Sequence, residues 1–64
     1  MVKVNGIEFS VAGMLLSEFL EKQEYHQDRI VVERNLVIVP KTEYEKVRLE
    51  DGDEVEVVSF VGGG

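Results

Sequence analysis

The residues of this chain whose types most clearly suggest chemistry are its last three, Gly62, Gly63 and Gly64, which follow the segment VVSFV. A terminal carboxylate is a poor electrophile, but activation with ATP to an acyl-adenylate would open its carbonyl to attack. Because glycine has no Cβ, it threads narrow clefts and adopts backbone angles that other residues avoid. The four residues from Val61 to Gly64 reach at most about 13 Å. The pattern predicts a terminus that enters a partner enzyme while the folded body stays outside.

The same terminus is suited to carrying sulfur. The chain has no cysteine, so no side-chain thiol is available as a carrier or nucleophile. If sulfide or a persulfide displaced AMP from the adenylate, the carboxylate would become a thiocarboxylate, whose ionised sulfur is a strong nucleophile. The residues alone leave a second interpretation open, because glycine is also common at frayed chain ends without a function.

Composition narrows the classes of function. A chain of 64 residues forms one domain with a small core and little room for an enclosed cleft, which argues against an ordinary enzyme. Its net charge of −6 repels nucleic acid and anionic membranes, so we expect neither as a partner. The strand-like start at Val2-Lys3-Val4 indicates no signal peptide, and no apolar run is long enough to span a bilayer. We expect a cytoplasmic monomer.

Nothing in the sequence indicates a bound cofactor or metal. The glycines do not precede a helix, so there is no phosphate-binding loop, and ATP would have to be bound by a partner. Asp51-Gly52-Asp53 lacks the twelve-residue ligand pattern of a calcium loop and is interpreted as a turn. His26, the only histidine, is interpreted as an exposed connector residue.

The first elements that would position the tail are a hairpin and a helix. Val2-Lys3-Val4 and residues 7–11 alternate around Asn5-Gly6, which is typical of a type I′ hairpin. Residues 14–22 place apolar side chains four apart and predict an amphipathic helix of about three turns.

The second half of the chain predicts three more strands, at 30–34, 37–39 and 54–61, with a turn at Asn35-Leu36. Thr42-Glu43-Tyr44-Glu45 has the spacing of a capping box and predicts a short helical stretch that begins at Thr42. The order β-β-α-β-β-β is that of an α+β protein. If the last strand lies in the middle beside the first, the fold is a β-grasp; the pattern alone leaves the strand order open.

Taken together, several stretches resemble the ThiS family, the sulfur carrier proteins of thiamine thiazole biosynthesis. They are VNG at 4–6, a helix with paired leucines, VVERNLVIVPKTEYE at 31–45 and LEDGDEVEVVSFVGGG at 49–64, and they cover almost the whole chain. The resemblance implies a ubiquitin-like β-grasp fold, in which one main helix crosses a small mixed sheet. It also implies a single domain at 1–61 followed by a flexible glycine tail at 62–64.

The resemblance further implies a carrier rather than an enzyme. An E1-like enzyme similar to ThiF would adenylate the carboxylate of Gly64, a cysteine desulfurase system would supply sulfur, and a thiazole synthase similar to ThiG would receive it. Departures from the usual family pattern include Lys41, where arginine is frequent, and Leu15, where a threonine or serine commonly starts the helix.

The last strand also predicts a partner-binding surface. If Val55 and Val57 face the helix, Val58 and Phe60 face away from it. We predict that Val58, Phe60 and Val61 bind partners, because interfaces favour aromatic anchors; the alternative is that these side chains reflect strand propensity or cover a loop. Acidic residues that we expect near this face are interpreted as solvated surface that would steer the carrier toward a basic patch. They are Glu50, Asp51, Asp53, Glu54 and Glu56.

Three other functions stay open. A molybdopterin sulfur carrier similar to MoaD would use the same terminal chemistry with a different acceptor. A protein modifier would join its last glycine to target lysines, and an interaction domain would leave its tail idle. The short chain and the VGGG ending favour the thiamine carrier.

Overall fold

The computed structural model describes residues 1–60 of the chain. The α-helix and the strands are β1 (Val2–Val4), β2 (Ile7–Phe9), α1 (Leu16–Lys22), β3 (Ile30–Arg34), β4 (Val37–Val39) and β5 (Glu54–Ser59), with 3₁₀ turns at Gln27–Arg29 and Lys41–Glu43. The expected boundary between a body at 1–61 and a tail at 62–64 lies outside the described residues.

The strands form one mixed sheet in the order β2-β1-β5-β3-β4. The pair β1–β5 is parallel, and the other three pairs are antiparallel. The last strand therefore lies in the middle of the sheet beside the first, which is the β-grasp arrangement. The sequence left this strand order open, and the structure confirms the expected α+β, β-grasp fold.

Both hairpins close with the backbone angles that a type I′ turn requires. Asn5 and Gly6 have φ values of 50° and 82°, which confirms the predicted first turn. Asn35 and Leu36 have φ values of 51° and 70° in the second turn. Leucine is unusual there, because its Cβ disfavours positive φ, whereas glycine at position 6 adopts it without strain.

The helix is shorter than the sequence predicted. It covers two turns, Leu16–Lys22, because Leu15 is still extended, with φ −69° and ψ 144°, and bridges to Arg48. No side-chain oxygen of the N-cap residue is available to cap the helix. Glu18 compensates in part, since its carboxylate accepts a hydrogen bond from the Leu15 N–H at 3.1 Å.

The core lies between α1 and one face of the sheet. Phe19 of the helix meets Phe9 of β2 edge to face, with ring centroids 5.2 Å apart. The strands present alternate residues to this face, in agreement with their period of two. The buried apolar side chains are Val2, Val4, Leu16, Phe19, Leu20, Ile30, Val32, Val39, Tyr44, Leu49, Val55 and Val57.

Three details of the predicted elements are wrong. The second 3₁₀ turn begins at Lys41, with the extended Pro40 as its N-cap, two residues before the predicted cap. Thr42 therefore lies inside the turn and does not cap it. The second strand ends at Phe9 instead of residue 11, because β1, with which it pairs, has three residues. The last strand, predicted over 54–61, ends at Ser59, because Ile30, its partner there, is the first residue of β3. No helix within residues 1–60 is long and apolar enough to cross a membrane.

Candidate functional site

The central strand β5 leads directly into the C-terminal segment of the chain. Its pairing with β3 runs from Arg34↔Val55 to Ile30↔Ser59. The N–H of Phe60 then donates to the carbonyl of Arg29 at 2.9 Å, so the ladder continues through the last described residue. Ser59 and Phe60 are called the tail root below. The predicted site residues Val61, Gly62, Gly63 and Gly64 lie outside the described residues.

The outer face of the sheet carries an apolar patch at the tail root. Val58 is 57% exposed and Phe60 is 47% exposed, which agrees with the predicted alternation of β5. Val31 of β3 lies directly opposite Val58 and is 41% exposed. Val31 was not among the residues predicted from the sequence, although strand alternation places it on the face opposite to Ile30 and Val32, which are both buried. Val31, Val58 and Phe60 are the apolar patch, and their role in binding partners stays a prediction.

A groove of about 240 Å³ lies beside Phe60. The chain reaches it through the end of α1, where Glu24 adopts a φ of 62° and Tyr25 N donates to the carbonyl of Leu20 at 2.9 Å, a Schellman arrangement. This turn brings the connector back to the sheet. The groove is lined by Glu24, Tyr25, His26, Arg29, Ile30, Ser59 and Phe60, so the exposed His26 lies nearer the tail root than the sequence indicated.

The start of β5 is polar. Asp53 is only 7% exposed, and the expectation that it is solvated surface is wrong. Its carboxylate accepts hydrogen bonds from Arg34 Nε at 2.8 Å, Glu50 N at 2.8 Å and Asn35 Nδ2 at 3.1 Å. Burial alone would raise the pKa of Asp53, but these hydrogen bonds and the Arg34 charge favour the ionised form, and the pKa is lowered.

The remaining acidic residues are spread along β5 and the turn before it, and Glu56 shares the outer face of the strand with Val58, two residues away. Glu50 pairs with Arg34 at 3.4 Å, and Asp51 pairs with the N-terminal amino group of Met1. Glu54 and Glu56 lie on the outer face of β5, with Glu56 directly opposite Glu33 of β3. They border a second groove of about 440 Å³ at the hairpin end of the sheet, away from the tail root.

Two asparagine side chains form hydrogen bonds with the main chain of β5, Asn35 at its polar start and Asn5 near its middle. Asn5 Nδ2 donates to the carbonyl of Val57 at 3.1 Å, and Val57 N donates to Asn5 Oδ1 at 2.8 Å. On the opposite edge, Glu54 N donates to Asn35 Oδ1 at 2.9 Å. Both asparagines were interpreted from the sequence as turn residues only. Their second role depends on which strand lies beside their turn, and the sequence pattern does not show this.

At this end of the sheet, an outgoing strand lies next to exposed apolar side chains and a groove. The arrangement combines a backbone held by β3, an apolar patch on one face and a groove lined by Tyr25, His26 and Arg29.

The chain is similar to known proteins over its whole length. A model of the ThiS family matches residues 2–64. The chain is 33% identical to the sulfur carrier protein ThiS of Bacillus subtilis, and the alignment covers 100% of both chains. The crystal structure of the thiamine biosynthesis protein ThiS from Geobacter metallireducens superposes with a TM-score of 0.76 at 30% identity and covers 98% of this chain and 97% of that one.

The chain is also similar to part of a longer protein that is named as a thiazole synthase. The chain is 44% identical over 63 residues to a thiazole synthase of Paramagnetospirillum magneticum. This alignment covers 95% of the chain but only 19% of that protein, so the chain spans about a fifth of this relative's length.

Proposed function

The chain belongs to the ThiS family of sulfur carrier proteins, and we propose that it carries sulfur for thiamine biosynthesis on the terminal carboxylate of Gly64. The observation that carries this proposal is the family match to residues 2–64, which includes the three glycines. The full-length alignment with the sulfur carrier protein of Bacillus subtilis supports it further.

The proposed chemistry has two steps, both on a partner enzyme similar to ThiF that binds ATP. One carboxylate oxygen of Gly64 attacks the α-phosphorus of ATP, which forms the acyl-adenylate and releases pyrophosphate. Sulfide then adds to the acyl carbon and AMP leaves, so that the carboxylate becomes a thiocarboxylate. If a persulfide from a cysteine desulfurase system is the donor, a second thiol must reduce the acyl disulfide that forms first.

The folded body contributes binding and position to this chemistry. The ladder between β3 and β5 fixes the tail root, and the apolar patch of Val31, Val58 and Phe60 offers a desolvated contact beside it. Glycine in the last positions lets the partner's cleft close around the backbone. The protein needs no cofactor of its own in this mechanism, and it is a substrate of its partners.

A thiazole synthase similar to ThiG is the proposed acceptor of the sulfur. Support comes from the Paramagnetospirillum magneticum thiazole synthase, in which a segment similar to this chain makes up 19% of one longer protein. Two activities joined in one chain commonly act in succession, because the linkage raises their effective concentration.

Intact-mass spectrometry tests the proposal. The chain is incubated with an E1-like enzyme of the ThiF type, ATP and sulfide, and we expect a mass gain equal to the replacement of one oxygen by sulfur. A variant with one residue added after Gly64 is the matched control and should keep its mass. Bacillus subtilis ThiS, treated in parallel, verifies the enzyme. An unchanged mass in the wild-type chain, while that protein is converted, would refute the carrier function, and attachment to lysines would indicate a protein modifier.

A further inference from the structure

The two edges of β5 are supported differently. On the β3 side, the strand is paired from Val55 through Ser59. On the β1 side, main-chain pairing stops at Val4↔Val55, because the chain turns away at Asn5-Gly6. From residue 56 onward, main-chain pairing within the described residues therefore supports the strand that leads to the tail root from one side only.

The side chain of Asn5 replaces the main-chain hydrogen bonds that β1 does not make to β5 beyond Val55. Main-chain bonds of the parallel ladder run from Lys3 N to the carbonyl of Asp53 and from Asn5 N to the carbonyl of Val55, each at 2.9 Å. In a continued ladder, Val57 N would donate to the carbonyl of Asn5, and the carbonyl of Val57 would accept from the next strand residue.

Instead, Asn5 Oδ1 accepts from Val57 N at 2.8 Å, and Asn5 Nδ2 donates to the carbonyl of Val57 at 3.1 Å. The side-chain amide thus takes the place of the peptide group that β1 lacks. It satisfies both main-chain groups of Val57, two residues before the tail root.

We propose that Asn5 is a positioning residue for the reaction at the C-terminus, because its amide holds the free edge of β5 and so fixes the direction in which the tail root leaves the sheet. This role rests on the proposed function, since it matters only if the terminus must enter a partner's cleft. A segment that is already ordered binds at a lower entropic cost than one that must be ordered on docking. Loss of the amide should therefore weaken productive docking of the terminus.

The second hairpin offers a matched control. Asn35 occupies the same turn position as Asn5, with a φ of 51° against 50°. Its amide also makes two hydrogen bonds, with Glu54 N and the carboxylate of Asp53, but these lie at the start of β5. Glycine accepts positive φ, so Asn5→Gly and Asn35→Gly both keep their turns and each remove two side-chain bonds.

The experiment compares the two variants by amide hydrogen exchange and by the kinetics of adenylation with the ThiF-type enzyme, at a temperature where both are folded. For Asn5→Gly, we expect exchange at Val57 and Phe60 to rise about tenfold, in line with the loss of a hydrogen bond. We expect its KM to rise between about three- and tenfold with kcat little changed. Asn35→Gly should show faster exchange at Glu54 and wild-type kinetic constants.

Equal kinetic constants for Asn5→Gly and the wild type would overturn the inference, and so would an equal KM rise in both variants, which would indicate a loss of stability alone. Unchanged exchange at Phe60 in Asn5→Gly would also overturn it, because the tail root would then not depend on the amide. If the wild-type chain is not adenylated at all, the proposed function fails instead, and the exchange data still report whether Asn5 orders the tail root.

Discussion

The two ends of β5 differ in polarity and in the exposure of their side chains. At its start, the buried carboxylate of Asp53 is bonded by Arg34, Asn35 and the backbone of Glu50. At its finish, Val58 and Phe60 expose about half of their surface next to the tail root. The start satisfies its polar groups within the chain, whereas the finish leaves apolar surface for contact. From this difference we predict that substitutions at the start of the strand mainly lower stability and that substitutions at its end mainly weaken partner binding.

The largest expected effect is on stability at the start of the strand. Asp53→Ala removes three hydrogen bonds and leaves Arg34 without its closest partner, so we expect a loss of about 2–3 kcal/mol in the free energy of unfolding. Chemical denaturation measures this loss. Adenylation kinetics at low temperature, where the variant is folded, should stay at the wild-type level. A large kinetic defect in the folded variant would break the division between the two ends.

At the end of β5, we expect a substitution to weaken partner binding and to leave stability almost unchanged. Phe60→Ala should change the free energy of unfolding by no more than about 0.5 kcal/mol, because the side chain is half-exposed. Its affinity for the ThiF-type enzyme or for thiazole synthase should fall about tenfold, the size typical of an aromatic interface residue. Leu36→Ala, which truncates a side chain that is 91% exposed at the far end of the sheet, is the control and should bind normally. Equal losses in both variants would argue against a localised patch.

Acid should weaken the start of β5 in a defined pH range. The pKa of Asp53 is lower in the folded protein than its ordinary value of 3.8. Its contribution to stability is therefore complete above about pH 4 and is lost as the pH falls through the lower folded pKa. The difference in free energy of unfolding between the wild type and Asp53→Asn should shrink as the pH falls below about 4. A difference that stays constant over this range would contradict the assignment.

The smallest expected effect concerns the strain at the second hairpin. Leu36→Gly should stabilise the protein by about 0.5–1 kcal/mol, because glycine relieves the cost of positive φ at a side chain that is 91% exposed. The reverse exchange, Gly6→Leu, should destabilise the first hairpin by a similar amount. Thermal unfolding of both variants checks this; a loss of stability in Leu36→Gly would show that the leucine makes a contact worth more than its strain.

The sequence predicted the parts of the fold that depend on local pattern. Alternation located β1, β3 and β4 at their observed residues, and Asn5-Gly6 predicted the first turn and its backbone angles. The order of the strands followed only from the family resemblance, because no local signal places the last strand beside the first.

The features that the sequence missed depend on distant partners. Leu15 continues the apolar spacing of the helix, but its bridge to Arg48 keeps it extended. Asp53 is part of a turn motif, and its burial follows from Arg34 and Asn35, which lie 19 and 18 residues away in the chain. Asn5 acts on Val57, 52 residues away. Such contacts are not visible before the sheet is assembled.

The most direct measurement of the central claim is ATP–pyrophosphate exchange by the ThiF-type enzyme with the full chain and with a chain that ends at Gly63. Circular dichroism melting curves of the two proteins should coincide, because the deletion leaves residues 1–60 unchanged. We predict exchange with the full chain and none with the shortened one, because the carboxylate would then fall one residue short of the α-phosphate. Exchange at the wild-type rate with the shortened chain would contradict the assignment of the Gly64 carboxylate as the reactive group.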